Sequence, residues 1–233
     1  ASELSPVDVT AFGFLANEPA PISVQGSFLE LQPFHELSLV GGDIELTGGQ
    51  VFPNSALFAP AGRVSLISVG SPGEVGRFTG LEGFTTLGDV NIGPQSFIDV
   101  SGERGGDVIV IADSLLLFDE AAIVSDTLGA TDGGAIFIDL QGTLALGQNA
   151  FIQSQTFGSG RGAGVSIQAG GVALLPGAVI GTRSLGSGDG GELEVSAVII
   201  DLQGGCLATD AAGTGQAGDI SVSALLLSLD ASS

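Results

Sequence analysis

One pattern of about 28 residues repeats from Gly106 to the end of the chain. Each unit opens with a pair of small residues and continues with a run of alternating apolar residues and a Leu-rich run. It closes with a turn, an Ile or Leu, and Ser/Thr residues. The opening pairs recur every 27 to 29 residues, at Gly105-Gly106, Gly133-Gly134, Gly162-Ala163, Gly190-Gly191 and Ala217-Gly218. A period in this range is typical of solenoids, in which each unit packs only against its neighbours.

Three stretches within each unit alternate with the period of a β-strand. The first stretch is Val108/Val110, Ile136/Ile138, Val165/Ile167, Leu193/Val195 and Ile220/Val222. The second is Leu115/Leu117, Leu144/Leu146, Val172/Leu174, Ile200/Leu202 and Leu227/Leu229. The third is anchored by Ile123, Ile152, Ile180 and Leu207. No window shows an amphipathic helical stripe, and the 39 Gly and 9 Pro disfavour helix further.

Equivalent residues at equivalent positions predict an all-β fold, a right-handed parallel β-helix (solenoid) with three short strands per coil. A single unit cannot bury its own apolar face. Coils stacked at about 4.8 Å pair every strand with its copies above and below and build a continuous core. Turn formers such as Pro176-Gly177 separate the second stretch from the third. We therefore expect residues 106–233 to form regular coils of 27–29 residues.

The pattern is looser in residues 1–105, which we expect to form a less regular part of the same β-helix. Ile44/Leu46 and Val64/Leu66 both match the first stretch, which implies one shorter coil; Val90/Ile92 and Ile98/Val100 match the second and third stretches. The segment near 69–87 has no clear register and is expected to be an excursion from the helix. Residues 1–20 are expected to be irregular or to form an edge segment.

The surface is expected to be strongly acidic, because 26 Asp and Glu stand against 5 Arg and no Lys, for a formal net charge of −21. Such a surface disfavours binding to nucleic acid or to anionic membranes. No apolar run reaches the roughly 18 residues that a membrane span requires. The N-terminus carries neither a signal peptide nor an initiator Met, so we expect a processed product or an excised fragment.

Four runs carry a resemblance to a known family: ISVQGS at 22–27, LSLVGGDI at 37–44, APAGRVSL at 59–66 and SVGSPGEV at 68–75. They resemble filamentous-haemagglutinin-type exoproteins of the two-partner secretion family, and residues 1–105 resemble the end of a two-partner secretion domain. The resemblance extends over nearly the whole chain. The family's N-terminal motifs, rich in Asn-Pro, and its toxic C-terminal domains are not found in this sequence.

The resemblance implies a right-handed parallel β-helix that is secreted through an outer-membrane transporter of the two-partner type. It also implies a place at the cell surface, associated with the outer membrane, and a role in adhesion, aggregation or matrix building with cell-surface or matrix partners. The Leu-rich run at 225–230 ends in mid-coil without a cap. We therefore expect either further coils or end-to-end stacking of copies into a filament, a homo-polymer.

Hydroxyl residues recur next to the third stretch and share the parity of its inward Ile residues, so we expect an inward structural ladder at a corner. The ladder residues are Ser125, Thr127, Ser154, Thr156, Thr182 and Ser184. Outward apolar side chains at Ile109, Phe137 and Phe151 form a candidate lateral contact with another filament or domain.

The acids are interpreted as a solvated face, with weak calcium sites at Asp107, Glu192 and Asp219 as the alternative, because Ca²⁺ prefers oxygen ligands. Ala135 and Gly164 interrupt this column. No other cofactor and no other metal site are expected.

Two alternative functions stay open: a carbohydrate-active β-helix enzyme and a calcium-stabilised surface-layer component. Glycoside hydrolysis needs two suitably spaced carboxylates, which an acidic chain supplies by chance. Against an enzyme stand five scattered Arg, the lack of Trp and Tyr, and the single His35, which we interpret as a surface or packing residue. The single Cys206 is interpreted as incidental. We expect no enzymatic activity and no catalytic residue.

Overall fold

The computed structural model describes residues 11–47, 56–76 and 80–230, and within these ranges the regular structure consists of β-strands. The first strands are β1 Ala11–Phe14, β2 Ile22–Gln25, β3 Phe28–Glu30, β4 Glu36–Gly41, β5 Ile44–Thr47, β6 Ala56–Phe58, β7 Arg63–Ser68, β8 Gly73–Gly76, β9 Leu81–Glu82, β10 Val90–Ile92 and β11 Phe97–Asp99. The others are β12 Asp107–Ala112, β13 Leu115–Leu117, β14 Ala122–Val124, β15 Ala135–Leu140, β16 Thr143–Leu146, β17 Phe151–Thr156, β18 Gly164–Leu174, β19 Val179–Ser184, β20 Leu193–Gln203, β21 Cys206–Ala211 and β22 Ile220–Asp230. No helix that could cross a membrane occurs in these ranges.

The strands stack in three parallel columns, which confirms the parallel β-helix with three strands per coil. The first column is β4, β7, β12, β15, β18, β20 and β22. The second is β2, β5, β10, β13, β16 and the C-terminal halves of β18, β20 and β22. The third is the seven-stranded sheet β3, β6, β11, β14, β17, β19 and β21. In the last three coils the first and second strands merge into single 11-residue strands.

Aliphatic side chains in register fill the interior. In the first column Val64, Val108, Ile136, Val165 and Leu193 lie on neighbouring strands and are at most 1% exposed. The second column continues this core with Ile44, Val90, Leu115, Leu144 and Val172, and the third with Leu57, Ile98, Ile123, Ile152 and Ile180. Full burial of each such side chain stabilises the fold by about 1.5–3 kcal/mol.

The corner between the second and third columns is built from residues in the left-handed region. The positive φ angles there are 56° at Gln95, 61° at Glu120, 57° at Asn149, 78° at Gly177 and 76° at Gly204. Hydrogen bonds join successive corners, for example from Glu120 N to Gln148 O at 3.0 Å. Turn-forming residues recur at this position because the backbone must reverse its twist there to leave one sheet and enter the next.

One assignment in the N-terminal part is wrong. Ile44/Leu46 lies in the second column, paired with Ile22/Val24 on one side and Val90/Ile92 on the other. The first-column copy before Val64/Leu66 is Leu37/Leu39. No shortened coil is present there, because residues 37 and 64 are a normal repeat apart. The assignments of Val90/Ile92 and Ile98/Val100 are confirmed by pairing with Leu115/Leu117 and with β14.

Residues 69–87 leave the helix as a lateral antiparallel sheet. β8 pairs with β1 on one side and β9 on the other, and an antiparallel bridge between Val69 and Leu87 closes the base. Together with Phe14, the sheet places Val75 and Phe84 in a second small core against Ile67. Residues 1–10 and 77–79, which belong to the segments discussed in the sequence analysis, lie outside the described residues.

Side-chain direction should decide the cost of substitutions within one strand. Ile138 is fully buried, whereas its larger neighbour Phe137 is 40% exposed. We expect Ile138→Ala to reduce the free energy of unfolding by about 2–5 kcal/mol, because it leaves a cavity in the column. Phe137→Ala should cost clearly less although it removes more atoms. Denaturant unfolding of both variants measures this; an equal or larger loss for Phe137→Ala would contradict the assigned strand parity.

Candidate functional site

The six hydroxyl residues of the expected ladder are buried, and none is more than 3% exposed. Thr127, Thr156 and Ser184 occupy one position in successive coils, and Ser154 and Thr182 occupy the position two residues earlier. The structure therefore brings these side chains together inside the corner that follows the third column. An exposed hydroxyl row for recognising a surface is not formed by these residues.

These hydroxyls anchor the glycine-rich loop of their own coil. Thr156 Oγ1 donates to Gly160 O and Ser184 Oγ donates to Gly188 O, both at 2.6 Å. The remaining anchors are Ser125 Oγ to Gly106 O at 2.8 Å, Thr182 Oγ1 to Gly191 O at 2.6 Å, and Gly105 N to Thr127 Oγ1 at 3.1 Å. Ser154 Oγ is buried without a hydrogen-bond partner. The rows are a stack of loop anchors, which satisfy carbonyl groups that a buried loop would otherwise leave unpaired.

Two of the three calcium candidates are engaged by arginine. Asp107 Oδ2 accepts a hydrogen bond from Arg63 Nη2 at 3.0 Å, with Arg104 Nη2 3.8 Å away. Glu192 Oε1 accepts from Arg161 Nη2 at 2.9 Å.

The three candidates do not form one cluster. The stacking register places Glu192 beside Asp219, while the positions of Ala135 and Gly164 separate both from Asp107. Over the ranges that the structure describes, no three His, Cys, Asp or Glu side chains are grouped to hold a metal ion.

Aspartate side chains tie successive coils together at their corners. In each case one Oδ1 atom accepts the backbone N–H of a residue on the following coil, at 2.8–3.2 Å. The pairs among the described residues are Asp43 with Asp89, Asp89 with Ser114, Asp107 with Ala135, Asp119 with Gln148, Asp126 with Gln155, Asp132 with Arg161, and Asp189 with Gln216. Hydrogen bonds to a charged acceptor are stronger than neutral ones. Many of the acids therefore have a structural task.

Two of these carboxyls have perturbed acidity. Burial raises the pKa of Asp126 to about 6; the hydrogen bond from Gln155 N opposes this shift and the charge of Asp99 adds to it. Burial also raises the pKa of Asp89 above its usual value, and the neighbouring Asp43 raises it further. Both groups lie in coil-to-coil contacts, so the shifts affect stability rather than mark a catalytic acid.

The three outward apolar residues lie in different surroundings. Ile109 and Phe137 are neighbours in the first column, but Ile109 is partly buried and packs against the second core under the lateral sheet. Phe151 lies on β17, in the other large sheet. The structure brings together the first two residues and places Phe151 apart from them.

A pocket of about 330 Å³ opens where the third column passes into the first. Three successive coils line it, with Phe34, His35 and Glu36 from the first coil, Ala61, Gly62 and Arg63 from the next, and Arg104 and Asp107 from the third. The ladder sets this geometry, because Glu36, Arg63 and Asp107 are paired across β4, β7 and β12. The pocket thus holds two of the five Arg and the single His of the chain.

The charged groups of the pocket are arranged around Arg63. Its guanidinium group contacts Asp107 at 3.0 Å and Glu36 at 3.7 Å. Arg63 Nε and Arg104 Nε are both shielded from solvent and have no hydrogen-bond partner. His35 Nδ1 lies 3.0 Å from Pro33 O and 3.2 Å from Gln32 O. Because carbonyl oxygens only accept, Nδ1 carries the proton, and these two bonds do not involve Nε2.

Sequence reasoning missed this pocket, since it described the arginines as scattered and His35 as incidental. Arg63 and Arg104 meet only because the residues around them are stacked across the 69–87 excursion, which hides their register in the sequence. An available signal was the recurrence of Ala61-Gly62-Arg63 and Gly105-Gly106-Asp107 as small pairs followed by a charge. Cys206 is exposed and free, outside the pocket.

The fold defines a three-sided parallel β-solenoid with a lateral sheet and a corner pocket. Comparison with models of known protein families, with curated proteins and with solved structures gave no match.

Asp126 should make stability depend on pH. Its pKa is raised on folding from 3.8 to about 6, so its contribution favours the folded state at low pH and is lost as pH rises through about 6. Asp126→Asn cannot titrate and keeps an acceptor for Gln155 N. We expect the variant to be about 1–2 kcal/mol more stable than the natural chain at about pH 8, with a smaller difference at about pH 5.

Urea unfolding at both pH values measures this difference. Glu194→Gln removes one exposed carboxylate and controls for net charge. A difference between Asp126→Asn and the natural chain that is the same at both pH values would contradict the assignment.

Calcium should have little effect on stability, because Asp107 and Glu192 already have guanidinium partners. We expect the melting temperature to shift by less than about 1 °C between EDTA and millimolar Ca²⁺ in thermal unfolding experiments. An ion at about 100 times its Kd would stabilise the fold by about 2.7 kcal/mol. A rise of several degrees with Ca²⁺ would contradict this prediction and favour the surface-layer alternative.

Proposed function

We propose that this chain is a structural and adhesive β-helix protein of the cell surface or extracellular matrix, without enzymatic activity, whose coils are extended axially by further β-strands. The observation that carries the proposal is the open coil at the C-terminal end of the described solenoid. The proposed extension is end-to-end stacking of copies into filaments, or further coils of a longer polypeptide.

The last coil exposes side chains that face the core in every preceding coil. Ile220, Val222, Leu227 and Leu229 on β22 are 41–69% exposed. Their stacked counterparts on β20 include Leu193, Val195 and Ile200, which are at most 1% exposed. The apolar columns therefore continue to the end of β22 without a cover among the described residues.

The same coil presents a long free strand edge. β22 pairs only with β20, and β21 only with β19, across the part of the chain that the structure describes. An open edge of this length is a template for another strand, and proteins usually block such edges with charges, proline or a covering segment. β22 has Asp230 as its single charged residue. Both its backbone and its side chains are therefore suited to receive another coil.

The extracellular setting is supported by the resemblance of residues 22–75 to two-partner exoproteins and by the acidic surface. In that setting the chain is exported through an outer-membrane transporter and acts at the surface of the cell, in contact with other cells or with matrix. A net charge of −21 keeps a rod soluble and limits unspecific lateral association, which leaves the end faces as preferred contacts.

A carbohydrate-active enzyme is the second candidate, and the observation that favours it is the pair of carboxylates in the corner pocket. We place it second because Glu36 and Asp107 both contact the Arg63 guanidinium, so neither is a free acid or base in this structure.

Self-association should depend on the open coil. We expect the purified chain to form rods longer than one subunit as concentration rises, seen by negative-stain microscopy and by light scattering coupled to gel filtration. Leu227→Lys should reduce this association, because it places a charge on an apolar column at the end face.

The matched control is Leu128→Lys, which charges a side chain of similar exposure, 56% against 48%, away from the end strands. Single short rods at every concentration would contradict filament formation. Equal loss of association in both lysine variants would contradict the assignment of the contact to the end coil.

A further inference from the structure

We propose that the pocket lined by Phe34, Arg63, Arg104 and Asp107 binds a neutral saccharide unit. This inference goes beyond the proposed structural function and does not depend on the open coil. It assigns a ligand-binding place to the side of the solenoid, at a corner that three coils share.

The size and position of the pocket suit one small ligand. Its volume of about 330 Å³ lies at the lower end of the range for small-molecule sites, about 300–1,000 Å³. The lining residues sit on or directly beside β4, β7 and β12, which are paired in register. A site on such a rigid support keeps its geometry without a ligand, which lowers the cost of binding.

The charge of the pocket favours a neutral ligand. Two guanidinium groups, Arg63 and Arg104, are matched by two carboxylates, Glu36 and Asp107. An anion would meet both carboxylates and the field of a chain with net charge −21. A cation would have to displace guanidinium groups from the carboxylates. A polyhydroxyl ligand avoids both costs, because its hydroxyls donate to carboxylates and accept from guanidinium groups.

Unused donors point to the same ligand class. Arg63 Nε and Arg104 Nε are shielded from solvent and lack partners, and buried donors without partners are rare in folded proteins. Arg104 contacts Asp107 only at 3.8 Å, beyond hydrogen-bond distance, so its guanidinium group keeps donors available. Neighbouring hydroxyls on a sugar ring match the fork of donors that a guanidinium group presents.

Phe34 supplies an apolar platform at a cost in backbone strain. Its φ angle is 66°, a region that is costly for a bulky residue, and its side chain is 69% exposed. An exposed ring held in a strained turn contributes little to the core, and such strain is concentrated at functional sites. The C–H face of a sugar ring packs on an aromatic face, which explains the ring at this place.

Phe34→Gly separates binding from folding. Glycine adopts a positive φ without strain, so we expect the melting temperature of this variant to stay unchanged or to rise by about 2–4 °C. Loss of the aromatic platform should weaken saccharide binding by about tenfold or more. A residue kept only for packing would give the opposite result, a lower melting temperature without an effect on binding.

The probes are a glycan array of neutral oligosaccharides with matched uronic-acid and sulfated oligosaccharides, followed by saturation-transfer NMR on the glycans that bind. The variants are Phe34→Gly, Arg104→Gln, and Phe118→Ala as control, which removes an exposed ring outside the pocket. We expect a neutral glycan to bind the natural chain and the control, and to bind at least about tenfold more weakly to both pocket variants.

Three results would overturn the proposal: no neutral glycan bound at millimolar concentration, preference for the acidic or sulfated probes, or binding that survives in Phe34→Gly. Because these readouts use single rods in solution, they are separate from self-association. Failure of one proposal leaves the other standing.

Discussion

The parallel ladder between coils, held in one register, is the constraint on which the rest of the molecule depends. Each coil alone has an apolar face that it cannot bury, and only stacking in register places Val, Ile and Leu side chains in continuous columns. A slip of one residue would turn every inward side chain outward. The aspartate bonds to the next coil act on this same register, because each fixes one corner against its copy.

The polar residues of the interior serve the connections rather than the strands. Buried Ser and Thr hydroxyls hold the carbonyls of the glycine-rich loops, so long turns cross the corner without orphaned backbone groups. The same loops approach each other so closely that a side chain would not fit: a Cβ at Gly191 would overlap Ala163 O, and one at Gly218 would overlap Gly191 O. Small residues recur at the start of each unit for this reason.

How far the sequence predicts the structure depends on whether the register can be followed. From Gly106 onward the alternation repeats at a nearly constant spacing, and all three columns were predicted residue by residue. Around Ile44 the same alternation fits two columns, and the next copy of that strand lies beyond the excursion, 46 residues further on at the corner formed by Asp43 and Asp89. The pocket was missed for the same physical reason, since Arg63 and Arg104 are neighbours only across that lost register.

The lateral sheet has a consequence for how the rod can diversify. Its two ends are joined by the bridge between Val69 and Leu87, so the chain leaves and re-enters the solenoid at one point. The length of the inserted segment is therefore independent of the repeat, and loop closure costs grow only slowly with length. Segments of other sequence can be exchanged there so long as they keep an apolar cover for Ile67 and Ile111. The corner acts as an attachment point for interchangeable side modules, while the axis of the rod stays the same.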